Sequence, residues 1–289
     1  MKLSDLPTTS FRDLGRQLGL KIELFEGRLV VIAPRWREAL STESTFCKAV
    51  VANGYLTERQ MLRAARRYRL GCTRQGGVIF WQIDASDELY DGKVMYYRED
   101  CHRDKQRHPT WVSTLLSRRY QWTDADSLTT RHCFFGLHLL SQSHTDLTDN
   151  TEIFGSLRVR TTQDQPSDIS HQTSFRVTNK PVCVVESEKS AVILSEHFPQ
   201  NLWLATGGMG NVQPDKFHPL RGHRVILFPD TDTEGKTFKS WFDAAQLVMQ
   251  QIFWEDSPPI TVSPILELHA TPAQKAAKID LVDFLFDPP

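Results

Sequence analysis

The sequence predicts an α/β fold, in which a C-terminal parallel sheet with helices on both faces follows a smaller α+β domain. From Pro181 onward, short apolar runs alternate with segments of helical periodicity, which is typical of a parallel sheet. The upstream part mixes hairpin-like alternation with capped helices. The stretch between them is rich in Ser, Thr, Asp, Gln and Asn. We therefore expect an α+β region over 1–140, a polar linker or insertion over 141–180 and the parallel-sheet domain over 181–289.

Composition and charge restrict the function classes. The chain has 289 residues, 40% of them hydrophobic and 24% charged, with a formal net charge of −1. Any nucleic-acid binding must therefore come from local basic patches. Five scattered cysteines without a Cys-x-x-Cys pair argue against a disulfide framework or a zinc ribbon. No secretion-signal core is present, and no run reaches the about 18 apolar residues of a membrane span. We expect a cytoplasmic protein without membrane contacts.

Helix and strand signals alternate in the upstream region. Ser10 is a good helix N-cap, and Thr57 with Gln60 forms the Thr-x-x-Gln pattern of a capping box. Alternating residues around Glu26-Gly27 predict a hairpin. The predicted elements are a short helix from Ser10 to about Gly19, a hairpin over 21–32, helices over 42–52 and 57–67, and strands over 78–83 and 93–97.

The downstream region has a more regular pattern. Its apolar runs are short and rich in Val, Leu and Ile, which favours buried strands, and longer amphipathic segments separate them. The predicted elements are a strand over 181–185, a helix over 188–198, a strand over 201–205, a glycine loop, a strand over 225–228, a helix over 235–252 and a strand over 260–266.

Acidic side chains follow two of these predicted strands. Glu186 comes directly after the first, and Asp230 and Asp232 follow the strand over 225–228. The carboxyl ends of parallel strands meet at one crevice, and alternate residues of an extended segment point to the same side. Oxygen donors without Cys or His suit a hard cation. We therefore predict Mg²⁺ or Mn²⁺ bound by Glu186, Asp230 and Asp232; the alternative is that an aspartate only caps the next helix.

Candidate phosphate-binding groups lie close to these acids in the sequence. Gly207 and Gly208 belong to a glycine loop, where backbone amides can approach an anion closely. Lys189 and Lys236 open the helices that follow the acidic motifs. We predict that these four residues balance charge on phosphate oxygens, with an ordinary turn as the alternative for the glycines.

A basic segment in the upstream region is the candidate nucleic-acid interface. Six arginines lie between Arg59 and Arg74, and Glu58 is the acid that precedes them. Several fall at helical spacing, so one helix face is cationic and can neutralise phosphates. An ordinary solvated helix face is the alternative. The predicted contact residues are Arg63, Arg66, Arg67, Arg69 and Arg74.

The combined motifs resemble the Toprim domain of bacterial-type primases, topoisomerases and nucleases. The resemblance covers about 181–285 and rests on Glu186, the glycine loop, Asp230-x-Asp232-x-x-Gly235 and the late segment Lys278–Leu285. It implies a Rossmann-like sheet, an acid/base role for Glu186 and Mg²⁺ held by Asp230 and Asp232. By the same resemblance, Asp280 or Asp283 would supply a further carboxylate.

The upstream half is similar to the basic subdomain that precedes Toprim in primases. Residues 68–94 carry this likeness. The stretches Phe80-Trp81-Gln82 and Phe135–Leu140 resemble primase-like proteins of bacterial mobile elements. The resemblance implies primase-like nucleotidyl transfer on single-stranded DNA, in DNA replication or mobile-element maintenance. A helicase or another replication or mobile-element protein is the expected partner.

Three other functions fit the same residues. A Toprim nuclease would use the same carboxylates. Many Toprim members have glycine where this chain has Ser187, which favours a catalytically inactive module that binds DNA or protein. A haloacid-dehalogenase-like phosphatase also places Asp-x-Asp after a strand, but few residues remain downstream of Asp232 for its lysine and further acids.

Overall fold

Two four-stranded sheets, one antiparallel and one parallel, organise the protein, together with a separate hairpin. The computed structural model describes residues 21–25, 28–32, 42–87, 89–120, 133–142, 180–208, 212–253 and 257–286. The helix predicted from Ser10 and nearly all of the linker predicted over 141–180 lie outside the described residues. None of the helices in the described ranges has the length and apolar character needed to cross a bilayer. The architecture is mixed α/β, as the sequence predicts.

Over the described residues, the upstream part contains the hairpin, the antiparallel sheet and four helices. The antiparallel sheet has the order β3-β4-β5-β6. The elements are β1 (Lys21–Phe25), β2 (Arg28–Ile32), α1 (Thr45–Ala52), α2 (Glu58–Arg67), β3 (Gly71–Cys72), β4 (Val78–Ile83), β5 (Leu89–Met95), β6 (Thr110–Trp111), α3 (Val112–Tyr120) and α4 (Leu139–Gln142).

Capping residues and short sequence patterns determine where several of these helices and strands begin and end. The Thr57 capping box is confirmed: the Gln60 amide donates to Thr57 Oγ1 at 3.3 Å, and the Thr57 amide donates to Gln60 Oε1 at 2.9 Å. The predicted hairpin and β4 are also confirmed. The helix predicted from residue 42 begins at Thr45, because Ser44 caps it through the Cys47 amide. The strand predicted over 93–97 is displaced, since β5 covers Leu89–Met95.

The downstream part forms the parallel sheet with the order β10-β9-β7-β8. Helices flank this sheet, and three short helices follow its last strand. The elements are β7 (Val182–Val185), α5 (Glu188–His197), β8 (Leu202–Ala205), a 3₁₀ helix (Pro214–Leu220), β9 (Val225–Phe228), α6 (Lys236–Gln251), β10 (Ile260–Val262), α7 (Ile265–His269), α8 (Pro272–Ala277) and α9 (Leu281–Phe286).

The strand predicted over 260–266 is too long. β10 ends at Val262, and the Ser263 amide makes one more bond to the Leu227 carbonyl at 2.8 Å. Pro264 has no N–H and cannot extend the ladder, so the chain turns into α7 at Ile265.

One apolar cluster joins the two sheets. Phe135 lies between them: its backbone exchanges hydrogen bonds of 2.9 and 3.1 Å with Ala205 on β8, and its ring contacts Phe80 of β4 at 5.3 Å. The Tyr68 ring stacks on Phe135 at 5.0 Å. The Tyr68 hydroxyl, fully buried, donates to the Trp203 carbonyl at 2.8 Å. The upstream segments therefore pack directly on the β8 edge of the parallel sheet.

Replacing Tyr68 with phenylalanine tests this junction. The change keeps the ring but leaves the Trp203 carbonyl without its hydroxyl donor, so the free energy of unfolding should fall by about 1–3 kcal/mol. Urea denaturation measures this loss. Tyr96→Phe is the matched control, because its hydroxyl lies 3.5 Å from Thr73 Oγ1 in a weaker contact. Equal effects of the two substitutions would contradict the assignment.

Candidate functional site

The strand order of the parallel sheet defines where a ligand can bind. From β7 the chain passes to β8 on one side, and β9 then pairs with β7 on its other side. The order therefore reverses between β7 and β9, and ligands of open α/β sheets bind outside the strand carboxyl ends at such a switch point. Glu186 directly follows β7, and Asp230 lies two residues beyond β9. The two predicted strand-end carboxylates thus flank the switch point.

Asp230 lies among other carboxylates. Its pKa is raised well above the ordinary value, first by burial and then by the negative charges of Asp280, Glu186 and Asp283. Lys189 acts in the opposite direction but does not cancel the effect. A carboxylate held against like charges is typical of functional sites. The structure therefore brings Glu186, Asp230, Asp280 and Asp283 into one acidic group.

Helix α9 and the residue that precedes it bring two of these acids to the switch point. Asp280 accepts the amides of Val282 and Asp283, and Asp283 accepts the Asp280 amide in return, a reciprocal cap at the start of α9. The Ser190 hydroxyl donates to Asp280 at 2.6 Å. The Thr231 amide donates to the Ile279 carbonyl at 3.1 Å, which ties the Asp230 loop to this segment.

Lys189 is held by the same two acids. Its Nζ lies 3.0 Å from Asp283 Oδ1 and 3.6 Å from Asp280 Oδ2. Burial alone would lower the Lys189 pKa, but Asp280 and Asp283 outweigh it and raise the pKa. The Asp283 pKa is raised, by burial and then by Asp280. Lys189, predicted to bind phosphate, is therefore already paired with carboxylates.

Asp232 has a different environment from Asp230. Its Oδ1 accepts the backbone amides of Glu234 at 2.9 Å and Lys236 at 3.1 Å, and its Oδ2 accepts that of Thr237 at 2.7 Å. Burial would raise the Asp232 pKa, but these bonds outweigh it, led by those from Thr237, and hold the pKa far below its usual range. Asp232 thus stabilises the start of α6.

The predicted phosphate-binding loop makes bonds within the protein. The Gly207 amide donates to the Glu186 carbonyl at 3.0 Å, and the Gly208 amide lies 3.4 Å from Thr206 Oγ1. Gly207 and Gly208 have φ angles of 77° and 152°, which glycine adopts without a Cβ penalty. Lys236 is exposed, and its Nζ lies 2.5 Å from exposed Glu234. Among these candidates, Lys236 is thus the most accessible to a ligand.

The predicted arginine patch divides into two groups. Arg63 and Arg67 form ion pairs with Glu196 of α5 at 2.6 and 3.0 Å, and Arg69 pairs with Asp87. Arg66 and Arg74 are exposed. Within the described residues, neither of these two arginines has an ion pair. Arg63 and Arg67 therefore join α2 to α5, and Arg69 is tied to the segment between β4 and β5. Arg66 and Arg74 remain accessible to an anionic ligand.

Two charged residues near the site were not predicted from the sequence. Lys93 of β5 donates to both carboxylate oxygens of Glu188, at 3.0 and 3.2 Å, and to the Gly207 carbonyl at 2.9 Å. The sequence predicts Glu188 in the first turn of α5, where its charge complements the helix dipole. The structure confirms this position and buries the side chain. Lys93 and Glu188 are 95 positions apart, so no short-range sequence pattern could have predicted that they pair.

A metal ion needs several oxygen, nitrogen or sulfur ligands directed at one point. In the described part of the chain, no three His, Cys, Asp or Glu side chains are arranged so that they could hold one. Magnesium commonly uses one or two carboxylates and completes its shell with waters and substrate phosphates. Glu186 and Asp230 carry carboxylate oxygens of that kind, and burial, followed by the negative charges of Asp280, Glu186 and Asp283, raises the Asp230 pKa.

The opposite pKa shifts of the two aspartates give opposite stability effects. The folded-state pKa of Asp230 is raised, so its ionised form destabilises the fold at pH 7, and that effect disappears as pH falls through the raised pKa. The Asp232 pKa is depressed, so its contribution is complete above the unfolded value of about 3.9 and is lost below it. In metal-free buffer at pH 7, Asp230→Asn should raise the free energy of unfolding, whereas Asp232→Ala should lower it by about 1 kcal/mol.

Chemical denaturation between pH 3 and pH 8 would measure both effects. Exposed Asp243 of α6 provides the control, and Asp243→Asn should change stability by less than about 0.5 kcal/mol. Destabilisation by Asp230→Asn at pH 7 would show that Asp230 is a structural carboxylate.

No curated protein matches the chain. A similar solved structure is the crystal structure of the primase fragment of Bacteriophage T7 primase-helicase protein, with 12% sequence identity and a TM-score of 0.41. The alignment covers 84% of this chain and 77% of that chain, a coarse likeness from which no residue role is transferred. The family described as "Domain of unknown function (DUF6371)" matches residues 44–149 and 171–231, more than half of the chain. The chain therefore belongs to the DUF6371 family.

Proposed function

We propose that this protein is a Mg²⁺-dependent, Toprim-like enzyme that carries out primase-like nucleotidyl transfer on nucleic acid. The observation that carries the proposal is the position of Asp230. This carboxylate lies at the switch point of a parallel sheet with three other acids around it, and its pKa is raised. A metal cation that also coordinates phosphate would stabilise the ionised form of such a carboxylate.

The proposed ligands are Glu186 and Asp230, with Asp280 and Asp283 adding negative charge around them. A bound Mg²⁺ or Mn²⁺ would supply charge stabilisation for a triphosphate or phosphodiester. Asp232 has an indirect part in this proposal, because its carboxylate fixes the start of α6 next to Asp230. Glu186 is the proposed proton carrier for the reacting oxygen.

Phosphate contacts in this proposal come mainly from exposed groups. The Lys236 ammonium pairs with an exposed glutamate and can turn to a ligand at little cost, because such surface pairs are weak. Lys189 keeps Asp280 and Asp283 in place. Arg66 and Arg74 are the proposed contacts to a single-stranded DNA backbone.

A non-catalytic binding module is the second candidate. The carboxylate of Asp232 and the amides of Gly207 and Gly208 make internal bonds rather than facing a ligand. That observation favours a fold that binds DNA or a partner protein without chemistry. A Toprim nuclease would use the same carboxylates as the proposed nucleotidyl transferase, but it would produce shortened DNA instead of extended DNA.

The activity test uses single-stranded DNA, labelled nucleotides and Mg²⁺. The proposal expects extended products, and it expects Asp230→Asn and Glu186→Gln each to reduce the rate by about 10²-fold or more. Shortened DNA would identify a nuclease. Asp243→Asn serves as the matched control and should retain the wild-type rate.

Metal binding gives a readout that does not depend on activity. Mg²⁺ should raise the melting temperature of the wild-type protein, and Asp230→Asn should remove most of that rise, because ligand binding to the folded state stabilises it. Calorimetry in the absence and presence of Mg²⁺ measures both. A wild-type protein without Mg²⁺ response and without products would favour the binding module.

The arginine groups predict different salt dependences of DNA binding. Arg66→Ala and Arg74→Ala should each reduce the slope of log K against log salt by about 0.7, the value for one phosphate contact on a single strand. Arg67→Ala should leave the slope unchanged, because its guanidinium pairs with Glu196. Fluorescence anisotropy of labelled single-stranded DNA across a salt series measures the slopes. Wild-type slopes for both Arg66→Ala and Arg74→Ala would exclude this surface as the interface.

A further inference from the structure

Lys93 connects the antiparallel sheet to the switch point. It lies on β5, and its Nζ reaches Glu188 at 3.0 and 3.2 Å and the Gly207 carbonyl at 2.9 Å. An ammonium has three N–H groups, so these three contacts use its donors fully. The Lys93 side chain is 13% exposed and that of Glu188 is 2% exposed. Lys93 is therefore engaged within the protein.

These contacts hold the chain on both sides of Glu186. Glu188 lies two residues after Glu186, in the first turn of α5. Gly207, whose carbonyl accepts from Lys93, donates its own amide to the Glu186 carbonyl at 3.0 Å. The backbone around Glu186 is thus tied to Lys93 through its following turn and through the glycine loop.

We propose that Lys93 is a positioning residue, which fixes Glu186 relative to Asp230 and so sets the cation affinity of the switch-point site. A buried ion pair is weak evidence for net stability, but the contacts of Lys93 restrict the two segments that they join. The consequence for cation affinity rests on the proposed function; the positioning of the Glu186 backbone does not.

The sign of the effect on Mg²⁺ separates positioning from simple charge. Lys93 carries a positive charge, so its removal would strengthen Mg²⁺ binding if charge alone mattered. If Lys93 positions Glu186, Lys93→Met should weaken Mg²⁺ binding by about 10- to 100-fold, the effect typical of partners that orient metal ligands. Isothermal titration with Mg²⁺ on the full chain measures this.

A second readout tests the geometry without any metal. Amide hydrogen exchange of Gly207, followed by NMR in metal-free protein, should accelerate about tenfold in Lys93→Met, because its carbonyl anchor is lost. Arg63→Met is the matched control: it removes another cation that bridges to α5, at Glu196 near the far end of the helix. It should change neither Gly207 exchange nor Mg²⁺ affinity by more than about twofold.

Lys93→Met leaves Glu188 buried without its partner, so the double variant Lys93→Met/Glu188→Gln is used if the single variant does not fold. The double variant should show the same faster exchange and weaker Mg²⁺ binding. Unchanged Gly207 exchange, or tighter Mg²⁺ binding, in a folded variant overturns the inference. If wild-type protein binds no Mg²⁺, the proposed function fails, and the exchange measurement alone decides whether Lys93 positions Glu186.

Discussion

Excess negative charge at the β7/β9 end of the parallel sheet is the constraint on which the site depends. Asp230 faces Glu186, Asp280 and Asp283, and Lys189 does not balance them fully. Folding alone would favour fewer charges at this edge, because each buried carboxylate must be hydrogen-bonded or paired. The surrounding structure supplies such partners for Asp280 and Asp283 through Ser190, Lys189 and the α9 amides. Asp230 keeps a raised pKa, which burial and then the neighbouring negative charges cause.

The parallel sheet does not build this edge alone. The final helix brings Asp280 and Asp283 to it, and β5 of the other sheet brings Lys93. Phe135 adds backbone bonds to the outer strand β8, and the aromatic contacts behind it fix how the two sheets pack. A fragment restricted to 181–289 would lack Lys93 and the Phe135 backbone. The position of Glu186 is therefore a property of the whole chain.

Local signals in the sequence predict the elements well and long-range pairing poorly. The Thr57 capping box and the limits of β4 and β9 follow from patterns within a few residues. The grouping of Glu186 with Asp230 follows from strand-end topology. By contrast, one acid pairs with both Arg63 and Arg67, and this acid, Glu196, lies more than a hundred positions away. The arginine run has few acidic residues near it in the sequence, but the fold brings an acid to some of these arginines. Pairing between distant residues leaves no short-range pattern in the sequence.

The Asp-x-Asp motif shows why residue type alone does not assign a role. Asp230 and Asp232 are two positions apart, yet burial and like charges raise one pKa, whereas backbone amides at the start of α6 lower the other. The surroundings of the two carboxylates, which are chemically identical, give them different roles. Asp232 folds the loop onto the helix, and the Thr231 amide bonds to Ile279. These bonds fix the turn that follows Asp230, so the structural aspartate and the Thr231 amide together hold Asp230 close to the segment that carries Asp280 and Asp283.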